Sequence, residues 1–323
     1  MPDADPPPAG STPSDHPSPN RPDLLPRLAT VLLVGVTAVW GSTFFLIHDL
    51  VQTIPASDFL AVRFTIAAVV MVAAFWGHLR ALASADLRIG ALLGGLYGAA
   101  QLLQTMGLAH TDASTSGFIT GTYVIFTPLL AAIVFAERVG PAGWVGTALA
   151  AAGLGVLSLY GLSAGVGEAQ TLVAAGLYAA HIVGLGRWSR ADNALGLATV
   201  QAAVIAILCT LAALPGGIQL PESGGQWTAL VYMALVAGAG ALWAQTWAQS
   251  HLSATSAAIV MTLEPVFAAG FAVALGGESL TARMIVGGGL VVLAMYVVEL
   301  GRMPSGRASA QDAPPSEALH HEV

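Results

Sequence analysis

Apolar residues run almost unbroken for about twenty positions at a time, and ten such runs follow one another between residues 30 and 301. A helix that crosses a bilayer needs about 20 consecutive apolar residues. Spans are therefore predicted over 30–50, 58–78, 89–109, 114–136, 141–160, 168–187, 195–214, 227–249, 254–276 and 282–301. Pro55, Gly140-Pro141, Pro215-Gly216-Gly217 and Gly276-Gly277 punctuate the gaps. Most gaps are short, so consecutive helices are expected to be antiparallel neighbours. The fold class this predicts is an all-α polytopic membrane protein with ten transmembrane helices. Residues 1–27 and 302–323 are rich in Pro, Ser, Asp and Gly and read as disordered tails. The first run does not read as a signal peptide: it is long, Trp40 lies late in it, and no clear small-residue cleavage site follows.

The polar positions orient these spans. The chain has no lysine. Arg21, Arg27, Arg80, Arg88, Arg138, Arg187, Arg190, Arg302 and Arg307 fall in gaps that alternating helices would put on one side. Arg283 falls on the other side, and Arg63 lies inside a run. Positive charge stays with cytoplasmic loops during insertion, so both termini are expected in the cytoplasm and the protein in the cytoplasmic membrane. Composition agrees: 55% of residues are hydrophobic and 9% charged, with a mean hydropathy of +0.74. A soluble domain carries about 25% charge, so lipid must solvate much of this surface. The net charge of −7 includes no basic surface that would suggest nucleic acid. Cys209 is the only cysteine, which excludes an internal disulfide or a cysteine metal cluster.

The halves repeat each other. With a shift of 138, Trp40 meets Tyr178, Phe44 meets Ile182 and Arg63 meets Gln201. With a shift of 141, Gln104-Thr105 meets Gln245-Thr246, His110 meets His251, Phe126 meets Phe267 and Glu137 meets Glu278. Each half, 28–160 and 168–301, holds five runs, an odd number, so the halves must enter the membrane in opposite directions. The arginines agree, marking the gap after the second span in one half and after the first in the other. Inverted repeats of this kind place a shared site near the midplane.

These residues resemble the EamA type of the drug/metabolite transporter superfamily. The resemblance rests on Trp40-Gly41-Ser42-Thr43-Phe44 late in span 1 and Phe59-Leu60-Ala61-Val62-Arg63-Phe64 opening span 2. It continues through Phe118-Ile119-Thr120-Gly121 and Thr127-Pro128-Leu129-Leu130 in span 4, then Leu263-Glu264-Pro265-Val266-Phe267 and Gly277-Glu278 in span 9. It implies two five-helix repeats and alternating access to a central cavity lined mainly by spans 1, 3, 4, 6, 8 and 9. It also implies export of a small organic solute, such as a metabolite, amino acid or drug. The first repeat departs from the second in having Tyr123-Val124 where the second has Glu264-Pro265.

Candidate site residues follow from polar groups at bilayer depth. Glu264 lies near the middle of span 9, where a charge costs on the order of 2.5–3.5 kcal/mol. Such a carboxyl is a candidate for exchanging a proton with water reaching it from alternate sides, or for a hydrogen-bonded structural role. Pro128 and Pro265 lack the backbone donor and predict helix breaks. Arg63 can snorkel to the interface, hold a substrate carboxylate, or pair with Glu264 or a helix end. Gln101, Gln104 and Thr105 share a face of span 3. Thr120 and Tyr123 lie on span 4, Tyr178 and His181 on span 6, and Trp243, Gln245, Thr246 and Gln249 on span 8. With Trp40, Ser42 and Thr43 of span 1 they form the expected cavity set, though polar groups in lipid also serve as interhelical glue. Gly90, Gly94 and Gly98, Gly146 with Ala150, and Gly287-Gly288-Gly289 read as close packing, or as sliding faces and a homodimer contact.

Gly161-Leu162-Ser163-Ala164-Gly165 matches a hydrolase elbow but lies between membrane helices without partners in a sensible order. No Walker loop and no His/Asp/Glu metal spacing is present. The sequence thus predicts no enzyme, no catalytic residue, no cofactor and no metal. It predicts a secondary-active transporter whose partners are a small-molecule substrate and the lipid bilayer. A non-coupled facilitator and a non-transporting scaffold are the alternatives.

Overall fold

In lipid a backbone amide finds no water, so an apolar run pairs its own N–H and C=O groups by coiling. The computed structural model describes residues 24–111, 113–157, 165–275 and 280–301, and helix occupies each of the apolar runs. In chain order the helices are α1 (Leu24–Gly41), α2 (Phe44–Val51), α3 (Ala56–Ala81), α4 (Ser84–Leu108), α5 (Ala113–Gly121), α6 (Tyr123–Phe135), α7 (Pro141–Leu157), α8 (Val166–Trp188), α9 (Ala194–Ala213), α10 (Gly224–Ala234), α11 (Ala241–Gln249), α12 (Ala254–Met261), α13 (Leu263–Leu275) and α14 (Ala282–Gly301). Six helical stretches are long and apolar enough to cross a membrane on length and composition alone. Helix α4 is long enough but less apolar, because one face carries Tyr97, Gln101, Gln104 and Thr105. Residues 1–23 and 302–323, the 161–164 part of the elbow-like motif, and Gly276-Gly277-Glu278 lie outside the described residues, while residues 24–27, read from the sequence as tail, are the first turn of α1.

Among the described residues, a threonine stands at each of three joints between consecutive helices. The Thr43 hydroxyl donates to the carbonyl of Trp40 (2.8 Å) between α1 and α2. That of Thr122 donates to Ile119 (2.5 Å) between α5 and α6, and that of Thr262 to Ile259 (2.6 Å) between α12 and α13. A short hydroxyl side chain offers the backbone a local partner in place of the helical ladder. Pro265 sits in the first turn of α13, where its missing N–H costs little. Pro128 is a correction to the sequence reading: it lies inside a continuous α6, and the interruption comes six residues earlier, at Thr122. One missing donor is tolerated there, and the Thr127 hydroxyl bonds the carbonyl of Tyr123. A π-helical stretch, Leu235–Gly240, joins α10 to α11.

Polar contacts gather the connections at two ends. Arg190 meets Asp86 (3.2 Å), and Asn193 donates to the same carboxylate (3.2 Å), joining the turns before α4 and α9. Asp86 holds the Arg190 guanidinium above its ordinary pKa through this hydrogen bond and its charge. Ser189 reaches the Thr246 carbonyl at the same end. At the other end the backbone N–H of Gln219 donates to Asp58 (3.0 Å), and Thr111 donates to Glu168 (2.9 Å). The turns flanked by Arg80, Arg88, Arg187 and Arg190 therefore share one end of the bundle.

Helix α3 packs most extensively on α9, α7 on α14, and α4 on α8 and α9. Helix α1 lies against α11 and α13, and α6 against α8 and α12. The small-residue faces are used inside the chain. A Cβ on Gly153 of α7 would come 2.7 Å from the Gly287 carbonyl oxygen of α14. Gly90 and Gly94 of α4 lie against Val200 and Gln201 of α9. Large apolar side chains such as Val69, Ile133 and Ile207 face outward, as expected where lipid is the solvent.

Candidate functional site

A cavity lies at the centre of the bundle, beside the three interruptions. Trp40 and Thr43 come to it from the α1–α2 joint, and Arg63 from α3. Tyr97, Gln101, Gln104, Thr105 and Leu108 come from α4. Thr120 and Tyr123 flank the second joint, and Met261 and Glu264 the third. Tyr178, His181 and Ile182 of α8 and Gln245 of α11 complete the wall, with Phe44 and Ile47 of α2. The cavity encloses about 60 Å³, below the range of about 300–1,000 Å³ usual for small-molecule sites, so its own walls nearly fill it in this state. Phe44, Ile47 and Gln104 are only half-buried, whereas His181, Ile182, Gln245 and Met261 are buried. The cavity is thus more accessible from the end where α2 and α4 finish.

Gly41 is what lets α1 reach the wall: a Cβ there would fall 2.7 Å from Cβ of Phe267 and 2.9 Å from the Glu264 carbonyl oxygen. One side of the cavity is a closed hydrogen-bond chain. Gln101 Nε2 donates to the Tyr178 oxygen (2.7 Å), whose hydroxyl donates to Gln104 Oε1 (2.7 Å), while Gln104 Nε2 donates to the Thr120 hydroxyl (2.9 Å). The chain ties α4 to α8 and α5. Tyr97 packs edge-on against Tyr178, with ring centres 5.5 Å apart, and lies 5.0 Å from the His181 ring.

Arg63 is 2% exposed. It neither snorkels nor pairs with Glu264. Its Nε donates to the Met233 carbonyl (3.1 Å) and its Nη2 to that of Ala237 (3.4 Å), at the π-helical stretch. Trp40 Nε1 donates to the same Ala237 carbonyl (2.9 Å). A wider helical turn leaves carbonyls misaligned with their usual donors, and these two side chains supply replacements. The Phe64 and Phe59 rings lie 5.1 Å and 5.9 Å from the guanidinium, within reach of cation–π attraction. Glu264 makes no hydrogen bond or ion pair with any described residue. It is near enough to interact electrostatically with Tyr97, Tyr123 and Tyr178.

Four of the sequence-predicted residues lie elsewhere. Trp243 is 38% exposed on the outer surface, because it stands on the opposite side of α11 from Gln245. Thr246 is buried between α11 and α9, bonded to the Leu242 carbonyl. Gln249 donates to the Ile182 carbonyl (2.9 Å) and so fastens α11 to α8. Ser42 bonds the Val39 carbonyl and the Tyr232 hydroxyl, away from the cavity. Tyr97, which the sequence reading missed, was within reach of it: it precedes Gln101 by one helical turn and shares its face. Phe44, Ile47, Leu108, Ile182 and Met261 carry no such signal.

Long apolar helices around a polar central cavity, with an apolar exterior, define a multi-pass membrane protein with a small-molecule compartment. The chain belongs to the EamA-like transporter family, which matches residues 27–159 and again 166–300. An uncharacterized transporter of Archaeoglobus fulgidus is 31% identical over 268 residues, covering 83% of this chain and 84% of its own length. A protein of known crystal structure shares the fold, with a TM-score of 0.71 at 19% identity over 85% of this chain and 97% of its own.

Proposed function

We propose that this chain is a secondary-active transporter of a small organic solute in the cytoplasmic membrane, working as ten spans in two inverted halves. The halves would rock around the shared cavity and open it to each side in turn. Pairwise packing supports the inversion: α4 meets α8 as α11 meets α1, α6 meets α8 as α13 meets α1, and α3–α9 and α7–α14 each pair across the halves. The clustered arginine-bearing turns support cytoplasmic termini, which would turn the half-buried mouth at Phe44 and Gln104 outward. Export is the direction the resemblance favours.

The observation that carries the coupling proposal is the Glu264 carboxyl, at the cavity wall and without a hydrogen-bond or ion-pair partner among the described residues. A proton can reach it from whichever side the cavity opens. The solute can be found by comparing metabolites of cells with and without the protein. In proteoliposomes, Glu264→Gln should then abolish flux driven by an imposed pH gradient while sparing solute exchange. Unchanged gradient-driven flux in the variant would remove Glu264 from coupling. Flux in the unaltered protein that ignores the gradient altogether would make it a facilitator.

A further inference from the structure

A second cavity opens on the outside of the bundle. It is a groove between α3 and α9, running from Thr65 to Ala73 on one helix and from Leu211 to Ala203 on the other. It holds about 660 Å³, where the central cavity encloses about 60 Å³. Alanines hollow it out, and Val69 and Ile207 stand beside them, 62% and 60% exposed. Gly196 of α9 lies against the His78 carbonyl and Leu82, so the two helices are antiparallel and the groove points along α3 toward its C-terminal end.

That end is basic and aromatic. Past Ala73 the backbone leaves helical geometry at Phe75 (φ −117°, ψ 24°), and the last turn carries His78 and Arg80. Trp76 is 53% exposed, and Arg80 is exposed and makes no hydrogen bond or ion pair with any described residue. Arg88, past the turn into α4, is exposed as well. The Asp86 carboxylate that separates the two arginines in sequence is already held by Arg190 and Asn193. Fifteen residues separate Thr65 from Arg80, which is about 22 Å of helix at about 1.5 Å per residue. One leaflet with its headgroups is as thick, about half of 40–45 Å. Tryptophan favours headgroup depth, and arginine beside it attracts anionic lipid.

An apolar groove at bilayer depth takes either an acyl chain or another helix. A second copy of this chain, docked two-fold, would set the same patch against itself and bring the Arg80 and Arg88 pair toward its own duplicate. We infer that the groove holds an acyl chain of one anionic phospholipid, whose phosphate headgroup meets Arg80 beside the Trp76 indole. This site faces lipid and stands apart from the central cavity, whatever solute that cavity carries.

The test is native mass spectrometry of the full chain in detergent, offered equal amounts of dioleoylphosphatidylglycerol and dioleoylphosphatidylcholine. The unaltered chain should retain one phosphatidylglycerol at least about fivefold in preference to phosphatidylcholine. Ala73→Phe, which fills the groove, should lose the bound lipid. Arg80→Gln should bring phosphatidylglycerol down to the level of phosphatidylcholine. Arg138→Gln, the same change of charge in the turn after α6, should leave the preference intact. Equal retention of the two lipids by the unaltered chain, undiminished lipid on Ala73→Phe, or equal losses from Arg80→Gln and Arg138→Gln overturns the inference. So does a dimer that Ala73→Phe dissociates, which would give the groove to a second copy. If Ala73→Phe fails to fold, the two arginine variants decide the matter.

Discussion

Gln104 and Gln245 match each other at a shift of 141 residues, yet their side chains end in opposite conditions. Gln104 is bonded at both ends, between Tyr178 and Thr120. Gln245 donates to Gln249, and its buried oxygen has no partner among the described residues. Tyr178 and Tyr123 divide the same way: the first bridges two glutamines, and the second has a buried hydroxyl with no partner. The family matches each half once, and of the similar polar groups in the two halves one set is bonded between helices while the other keeps atoms without a partner among the described residues. The difference arises from neighbours: Tyr178 stands across from Gln104, whereas the matching Trp40 turns its only donor to the Ala237 carbonyl.

Three sets of variants press on that comparison. The largest effect on stability is expected for Gln104→Leu, which strands the Tyr178 hydroxyl and lets go of Thr120, at about 2–3 kcal/mol. Gln245→Leu should cost less, about 1–2 kcal/mol, because it strands only the Gln249 oxygen and removes an acceptor that was unpaired already. Thermal melting in detergent compares the two; equal losses would mean that both are struts. A smaller contrast is expected between Tyr178→Phe, at about 1–2 kcal/mol destabilising, and Tyr123→Phe, neutral or slightly stabilising. If Tyr123→Phe melts as early as Tyr178→Phe, the Tyr123 hydroxyl has a partner in the folded protein, and the division fails. Smallest of all, Trp243→Leu should leave the melting temperature unaltered, because the ring faces lipid. An earlier melt there would mean that the ring packs against the protein.

Several parts of this molecule were legible in residue order. The apolar runs fixed where helices form, because backbone polar groups in lipid have no alternative partner. Glu264, Gln101, Gln104, Tyr123, Tyr178, His181 and Gln245 stood out because polar side chains at bilayer depth are costly without a use. Spacing on α4 also pointed to Tyr97, had the aromatic been weighed with the glutamines.

Other parts depended on which helices meet. Trp243, Thr246 and Gln249 lie within a few residues of Gln245 and are as conspicuous in the sequence, yet one faces outward and two fasten α11 to its neighbours. A helix turns about 100° per residue, so adjacent residues face different surroundings, and only packing decides which surroundings those are. Arg63 was open to four fates, and the carbonyls of Met233, at the end of α10, and Ala237, in the π-helical stretch, decided among them. The residue order determined the helices, their polar complement and the doubled pattern, since those depend on local chemistry and solvent. Only the tertiary structure decided which polar atoms found partners and which were left facing the cavity, because a hydrogen bond between helices depends on atoms far apart in the chain meeting within about 3 Å.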